Sequence, residues 1–399
     1  MDSHNPSKMP PLLLILPLFT LGLYGTMVNG FETGYFSILT ATSGNLDNDP
    51  YVPGGPEPFD PRYTGSKALD TRMGILIGFF SGLINGERTW DVDLAYVWTM
   101  GMFFSGWALL SVEAHRRANR GRVVSWTNTF GNIVQSFSYA LTIPSYLILH
   151  IFTTSPTTDD VSVPEGEVRH LPLSMTLAYI VPAVIMSLPT PSIIPAKLHY
   201  DITALWQIFP VLQFFIHRAM NIVCFPRAPR ADNTTRTPKG VGKSLANHYR
   251  FVIFTAAVVH LPILLVSLTP ASMAFGPVWL REMITQTTYN NVFVPYGVWS
   301  PPAVDLAKVA ALGGENKADL SWLPGLTKHF LHYDIGCPTL AMVVWAGYNY
   351  RAVIGNGCGV GAGKMVAWLL AGGPVALATV LMWERDERLL RVIEGRKAQ

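Results

Sequence analysis

The stretch that decides the fold runs from residue 96 to residue 152. Residues 96–112 read YVWTMGMFFSGWALLSV, residues 113–122 read EAHRRANRGR, and residues 123–152 read VVSWTNTFGNIVQSFSYALTIPSYLILHIF. The first apolar arm has no charged residue, and the second has none apart from the titratable His150. Because an apolar run of about 17–25 residues crosses the hydrocarbon core as a helix, the pattern predicts a membrane hairpin. The four arginines of the short turn predict that the turn is cytoplasmic.

Composition extends this class to the whole chain. Of the 399 residues, 49% are hydrophobic and only 14% are charged, which differs from ordinary soluble proteins. We therefore predict an all-α, polytopic transmembrane bundle of about eight to nine spans that forms one domain over residues 1–399. The first span should remain as a helix, because no signal-peptide cleavage site follows it. The predicted spans are residues 11–29, 73–84, 96–112, 125–152, 173–188, 202–225, 251–268, 335–353 and 365–383.

The charged residues predict topology rather than a nucleic-acid partner. A net charge of +3 is too small for such a partner, and the basic residues flank the spans. With nine spans, the basic tail 385–399 lies on the side of the 113–122 turn, and the basic loop 227–250 lies in the lumen. The sequon at Asn233 would there accept a glycan. Since basic loops favour the cytoplasmic side, either this loop is an exception or one helix is miscounted. We expect a multi-pass protein of the endoplasmic reticulum.

Two loops interrupt the helical pattern. Residues 39–72 are rich in Pro, Gly and Asp, and proline there prevents a continuous helix. We therefore expect this first loop to be an ordered cap or lid. Residues 270–333 are too long for a simple connector and mix aromatic residues with prolines. They are expected to form a second cap with interfacial helices, since Trp and Tyr favour the headgroup level.

Carboxylates in or beside the spans are the candidates for catalysis. Ionisable groups there are costly unless they are paired or hydrated. For each carboxylate, the alternative is a helix end in the hydrated headgroup region. Glu113 has a second alternative, because Arg116 or Arg117 at helical spacing would form an anchoring ion pair with it. Asp201 follows Tyr200, and a tyrosine beside a carboxylate can hold or relay a proton. The candidate acids are Glu32, Glu87, Asp93, Glu113 and Asp201.

Aromatic side chains are frequent in the predicted spans. The chain has 11 Trp, 15 Tyr and 20 Phe residues. Aromatic faces stabilise cations through their quadrupole, so a pocket lined by them would shield a carbocation. Packing between helices explains the same residues without a pocket. The candidate lining residues are Tyr35, Phe80, Trp98, Trp107, Trp126, Tyr139 and Trp206.

No spacing in the sequence predicts a metal centre. His329, His332 and Asp334 have ligand types at helical spacing, but no fourth partner accompanies them. We therefore expect neither a metal nor another cofactor.

Several of these motifs together resemble one protein family. The chain is similar to the fungal integral-membrane terpene cyclases of the ascofuranone and macrophorin pathways. The resemblance is strongest over residues 31–152. It departs at Asn85-Gly86, where an Asp-Gly pair is expected; either the neighbouring Glu87 substitutes or the acid lies elsewhere in the chain. The motifs that carry it are Asp60-Pro61-Arg62-Tyr63-Thr64-Gly65 with Asp70, Phe79-Phe80, and Glu113 with residues 116–122 and the aromatic helix that follows.

This resemblance implies a metal-independent cyclisation of the intramolecular lyase or isomerase type. A carboxylic acid would protonate a terminal olefin or an epoxide of a prenylated, meroterpenoid substrate, and ring closure would run through carbocations. The acid must be kept protonated, which burial favours. The lipophilic substrate would reach the pocket from the membrane lipid.

Two functions of other classes remain as alternatives. A transporter is expected to show repeated halves or broken helices with paired charges at mid-membrane, and the sequence has no such symmetry. A receptor, or a non-catalytic scaffold of a biosynthetic complex, would suit the polar caps and the aromatic bundle equally well.

Overall fold

The computed structural model describes residues 8–85, 88–154, 163–224, 238–295, 323–355 and 359–397. Within these ranges the protein is all-α, as predicted, and no strand is present. Seven helices form the first half of the described chain: α1 Met9–Glu32, α2 Tyr35–Ala41, α3 Lys67–Ile84, α4 Trp90–Ala114, α5 Thr127–Phe137, α6 Tyr139–Thr153 and α7 Glu165–Met186. Seven more follow: α8 Ala196–Gln207, α9 Phe209–Cys224, α10 Pro238–Leu268, α11 Val278–Gln286, α12 Tyr289–Phe293, α13 Leu323–Ile354 and α14 Ala362–Lys397.

Five helices of the described chain are long and apolar enough to cross a membrane. They are α1, α4, α7, residues Val241–Leu268 of α10 and residues Ala362–Glu394 of α14. These helices coincide with five of the predicted spans, namely 11–29, 96–112, 173–188, 251–268 and 365–383. The helices therefore agree with a multi-pass membrane protein.

Two predicted spans were wrong as single helices. The predicted span 125–152 is divided at Ser138, whose hydroxyl accepts a hydrogen bond from the Leu141 amide and so begins α6. The predicted span 202–225 is divided between Gln207 and Phe209. The reason there is Pro210, because proline lacks an amide donor and its ring clashes with the carbonyl four residues earlier. The expected membrane hairpin of residues 96–152 is thus one long helix, α4, followed by two short helices, α5 and α6.

Helix α13 differs from its predicted span at its start. It begins at Leu323, twelve residues before the apolar run 335–353. The added turns bring Lys328, His329 and His332 into the protein interior, where all three are buried. Each has a partner: Lys328 pairs with Asp91, His329 bonds to Asn29, and His332 bonds to the Val292 carbonyl. His329 and His332 therefore serve packing and do not converge with Asp334, which caps α6 at the Ala140 amide.

Helix α4 lies at the centre of the bundle. It is almost entirely buried and packs against α10, α13 and α14. Helices α1 and α6 cover α13, while α14 packs along both α10 and α13. Because α4 contacts so many partners, its residues are the ones that the fold positions most firmly.

The first loop is shorter than predicted and is ordered. Helix α2 ends at Ala41 and α3 begins at Lys67, so only residues 42–66 are outside helices. The buried Asp70 accepts hydrogen bonds from the amides of Tyr63, Thr64 and Gly65. In the second loop, residues 270–333, α11 and α12 are two short helices, while residues 296–322 lie outside the described residues.

The predicted basic tail 385–399 is also helical over most of its length. Helix α14 kinks at Gly372 and Gly373 and then continues to Lys397. Arg385, at the start of this segment, is 1% exposed and lies in the protein interior. The reason is that carboxylates of α4 and α14 surround its guanidinium group.

Candidate active site

A cavity of about 460 Å³ opens between α4, α7 and α10. Its volume is within the range of about 300–1,000 Å³ that is typical of small-molecule sites. The walls are mainly aliphatic and aromatic, and Val97, Val184 and Val258 at its rim are exposed on the outside of the bundle. In a membrane, these valines would face lipid. The cavity is therefore open to a lipophilic molecule.

Two local backbone features determine the shape of the cavity. Gly101 lets α4 approach α10, since an added Cβ would lie 2.8 Å from the Val259 methyl carbons. Residues Thr176–Ile180 of α7 form a turn of π-helix, a feature that is frequent at functional sites. This turn brings Tyr179 and Ile180 into the wall.

The hydroxyl groups of the cavity are held by one another or by the backbone. Tyr96 and Ser187 share a hydrogen bond of 3.0 Å between their hydroxyl oxygens, and the Tyr179 hydroxyl donates to the Met100 carbonyl at 3.0 Å. The Thr255 and Ser105 hydroxyl groups share a hydrogen bond of 3.1 Å. The walls thus present a largely apolar surface.

An aromatic layer continues from the cavity into the core. The Tyr179 ring lies 5.2 Å from Phe104 and 5.1 Å from Trp206, and Trp206 lies 4.8 Å from Phe80, all between ring centroids. Trp206 is buried, and its indole N–H has no hydrogen-bond partner among the described residues.

Asp93 precedes the cavity-lining residues of α4 by one helical turn. On α4, the lining residues recur at helical spacing from it, so all of them share one face. The Asp93 side chain is 30% exposed, and its Oδ1 lies 3.3 Å from Arg88 Nε. Asp91, two residues earlier, pairs with the buried Lys328. The face consists of Asp93, Tyr96, Val97, Met100, Gly101 and Phe104.

Glu113 is engaged in a different arrangement at the opposite end of α4. Its Oε1 accepts from Arg116 at 2.6 Å and from Arg385 at 3.2 Å, and its Oε2 lies 3.5 Å from His150 Nε2. Asp386 completes the group by pairing with both arginines. All four charged side chains are 1% exposed. Glu113 therefore forms the ion pair with Arg116 that was one alternative from the sequence. The sequence did not indicate that Arg385 and Asp386 would join this pair.

The other predicted acids lie away from the cavity. Asp201 is half-buried and forms an ion pair of 2.6 Å with Lys197, one turn earlier on α8. Glu32 is exposed at the end of α1. Glu87 and the sequon residue Asn233 lie outside the described residues. Among the described candidates, Asp93 is the acid that lies one helical turn before a lining residue, Tyr96.

The predicted aromatic lining residues are buried, except one. Tyr35 bonds to Thr327, Trp98 donates to His260, and Trp107 donates to Gln213. The Tyr139 ring lies 4.6 Å from the Phe103 ring between centroids, with the two planes tilted by 55°. Trp126 is 52% exposed at the start of α5, so it is not part of an interior wall. Phe80 and Trp206 are the predicted members that reach the aromatic layer behind the cavity.

Sequence reasoning missed Tyr96, Phe104 and Tyr179 as lining residues. A signal for the first two was present, because they follow Asp93 by three and eleven residues, which is one face of a helix. Nothing in the sequence indicated Tyr179, since a π-turn has no reliable sequence signature.

Asn85 occupies the position where the resembling family was expected to have Asp. Its amide nitrogen lies 3.0 Å from His199 Nε2, and both side chains are buried. Burial lowers the pKa of His199 to about 4, while the Met186 carbonyl opposes that shift. The imidazole is therefore neutral near pH 7. Asn85 and His199 form an uncharged hydrogen bond that joins α3 to α8.

Comparison of the sequence with known proteins identifies the family of this chain. A family model described as the CtvD domain matches residues 11–390. The chain belongs to the CtvD-domain family. Terpene cyclase ascI of Acremonium egyptiacum is 24% identical over 342 residues, which cover 82% of this chain and 79% of the relative. Terpene cyclase atmA of Aspergillus flavus is 25% identical over 393 residues, which cover 94% and 96%.

A third relative of this CtvD-domain protein is terpene cyclase janA of Penicillium janthinellum, 24% identical over 375 residues, which cover 92% of each chain. No solved structure matches the chain. The predicted resemblance to fungal membrane terpene cyclases is thus confirmed.

Proposed function

We propose that this CtvD-domain protein is a membrane-bound terpene cyclase that closes rings in a prenylated substrate within the cavity between α4, α7 and α10. One observation carries the proposal: Asp93 continues the helix face that lines this apolar cavity. A carboxylic acid beside an apolar space that has aromatic side chains in its wall is what acid-initiated cyclisation requires.

In the proposed reaction, Asp93 acts as the general acid. Its proton goes to the terminal olefin, or to the oxygen of a terminal epoxide, of the bound chain. Protonation gives a carbocation, or opens the epoxide to a hydroxyl group and a carbocation. An internal double bond then attacks this centre, forming the ring bond and moving the charge along the chain. Loss of a proton, or capture of water followed by loss of a proton, ends the sequence.

The neighbours of Asp93 suit this role. Arg88, 3.3 Å away, would stabilise the carboxylate that remains after proton transfer. Because Asp91 is occupied by Lys328, only one of the two carboxylates faces the reaction. The acid is then reprotonated from the solvent that reaches its 30% exposed side chain.

The walls would direct the cation without reacting with it. The rings of Tyr96, Phe104 and Tyr179 present π-faces, and each such contact is worth roughly 0.5–2 kcal/mol to a cation. The Tyr96 and Tyr179 hydroxyls are already bonded, so they offer little competition to the internal double bond. Access from the lipid past Val97, Val184 and Val258 fits a substrate that partitions into the bilayer.

The test uses microsomes that contain the full chain and a linear farnesylated phenol or its terminal epoxide. We expect cyclised product from the wild type and a loss of about 10²–10⁴-fold for Asp93→Asn, the usual contribution of a general acid. Asp201→Asn is the matched control, since it removes a carboxylate that is paired with Lys197 and lies on a helix that does not line the cavity, and it should retain activity. Product from Asp93→Asn at the wild-type rate would assign the acid elsewhere. The absence of product across a broad prenylated panel would favour a transporter, receptor or scaffold.

A further inference from the structure

Three side chains with metal-ligating atoms converge at the end of α4 that is remote from Asp93. His115 directly follows α4, Glu167 lies in the first turn of α7, and His217 lies in α9. One ligand atom from each falls within 4.8 Å of the other two. We propose that these residues bind one divalent transition-metal ion, with zinc as the best-fitting ion. Asp93 and His115 are 22 residues apart, or about 33 Å along a helix, so this site is separate from the proposed acid.

The distances suit a tetrahedral ion. His217 Nε2 lies 2.7 Å from Glu167 Oε2, and His115 Nε2 lies 3.9 Å from the same oxygen. Bonds of about 2.0–2.2 Å at tetrahedral angles place ligand atoms roughly 3.3–3.6 Å apart. To bind the ion, the His217–Glu167 pair must therefore move apart and the His115–Glu167 pair must move together, each by less than about 1 Å. Rotation of the Glu167 side chain, which is 33% exposed, provides that adjustment.

The outer partners hold the imidazoles in the form that a metal needs. His115 Nδ1 lies 2.7 Å from the Ser111 carbonyl. Because a carbonyl can only accept, Nδ1 carries the hydrogen and the Nε2 lone pair faces the cluster. Ser174 bonds to His217 Nδ1, and the Asn221 amide donates to Glu167 Oε2 at 2.9 Å. Metal-binding histidines typically donate their second nitrogen to such a partner, and ligating carboxylates are likewise held.

The ligand set also favours a metal over a simple ion pair. With Nδ1–H of His115 bonded to the Ser111 carbonyl, the Nε2 lone pair faces Glu167 Oε2 at 3.9 Å, an arrangement that a cation between the two atoms would stabilise. Two neutral imidazoles and one carboxylate are a recognised zinc ligand set, with a fourth position for water. The partial exposure of His115 and Glu167 leaves that position accessible. Such an ion would cross-link the ends of α4, α7 and α9.

The experiment measures metal binding directly. Full-length protein in detergent is stripped with a chelator, incubated with zinc chloride, desalted and analysed for zinc by mass spectrometry. We expect about one zinc per chain for the wild type and for Glu165→Gln, the matched control in the same helical turn. His217→Ala and Glu167→Gln should lower the affinity at least tenfold. Loading with Co²⁺ should give the visible absorption of a tetrahedral site.

The cobalt spectrum keeps the proposal testable should a variant fail to fold, since it needs only the wild type. Zinc well below one per chain, an octahedral cobalt spectrum, or equal loss in Glu165→Gln would overturn the metal site. In that case His217 and Glu167 form an ion pair only. None of these measurements depends on cyclase activity, so the outcome is independent of the role of Asp93.

Discussion

At the scale of single residues, Glu113 and Asp93 are two carboxylates on one helix that have different surroundings. Both are on α4, and both were candidate acids from sequence. Glu113 is completely buried and faces two guanidinium groups, whereas Asp93 is partly exposed and lies beside one. A carboxylate held by two cations resists protonation. We therefore propose a structural role for Glu113 and the role of the acid for Asp93.

Substitution of Glu113 should act on stability. Glu113→Gln leaves Arg116 and Arg385 buried with Asp386 as their only remaining carboxylate of this group. Removing one partner of a buried ion pair costs about 3–5 kcal/mol. We expect a lower melting temperature and aggregation in detergent. Glu384→Gln, which breaks an exposed pair with Lys364, is the control and should change the melting temperature little.

The alternative for Glu113 has its own signature. If Glu113→Gln melts like the wild type but forms no cyclised product, Glu113 becomes the acid and Asp93 does not.

Asp70 should make the first loop sensitive to acid. Burial alone would raise the pKa of its carboxyl group, but the hydrogen bonds from Thr64, Gly65 and Tyr63 prevail and lower it. A pKa that is lower in the folded state stabilises the protein above the unfolded value of about 3.9, and that stabilisation is lost as the pH falls through the folded value. The melting temperature of the wild type should therefore exceed that of Asp70→Asn at pH 6–7. The difference should shrink towards pH 3.

The control for this prediction is Asp60→Asn. Asp60 is 61% exposed and pairs only with Arg62 among its described ion pairs. Its loss should have a small effect at every pH. A difference between wild type and Asp70→Asn that is the same at pH 7 and pH 3 would show that the ionised carboxylate is not what stabilises the loop.

At the scale of helices, the contact between α4 and α10 sets the shape of the cavity. Gly101 permits that contact, because its position faces the Val259 methyl groups. Val is rigid at χ1, so it cannot easily turn away from a new side chain. The two helices can therefore keep their spacing only while one of the two positions is small.

A double substitution tests this contact. Gly101→Val should lower the free energy of unfolding by about 1–3 kcal/mol through overpacking. Val259→Ala in the same chain should restore part of that loss, since it removes the clashing methyl groups. Thermal unfolding of the two single variants and the double variant gives the coupling. If the changes in unfolding free energy of the two single variants simply add in the double variant, the side chains at positions 101 and 259 are not in contact.

At the scale of the whole molecule, the bundle places its two proposed sites at opposite ends of α4. The cavity opens sideways between helices, where a lipid-soluble chain would enter, and the histidine cluster lies beside the arginine-rich turn. The predicted cytoplasmic side of that turn, the glycan at Asn233 and the endoplasmic reticulum location remain predictions. Labelling of single cysteines at Arg117 and at Asn48 from either side of sealed microsomes would establish the topology.

Filling the cavity should block access without unfolding the bundle. Ala183→Phe adds a ring to the wall of α7, and we expect at least a tenfold loss of cyclised product with an unchanged melting temperature. Leu265→Phe is the control, because Leu265 is 58% exposed on the outside of α10. Full activity in Ala183→Phe would show that the substrate binds in another part of the molecule.

The sequence by itself determined the class of the protein, the position of its long apolar helices and a short set of acids that contains Asp93. These features follow from hydropathy and helical period, which are local properties of the chain. Only the tertiary structure decided that Glu113 meets Arg385 and Asp386, that Tyr179 joins Phe104 in one wall, and that His115, Glu167 and His217 converge. Electrostatic and packing energies depend on distances between side chains, and for residues far apart in sequence those distances exist only after folding.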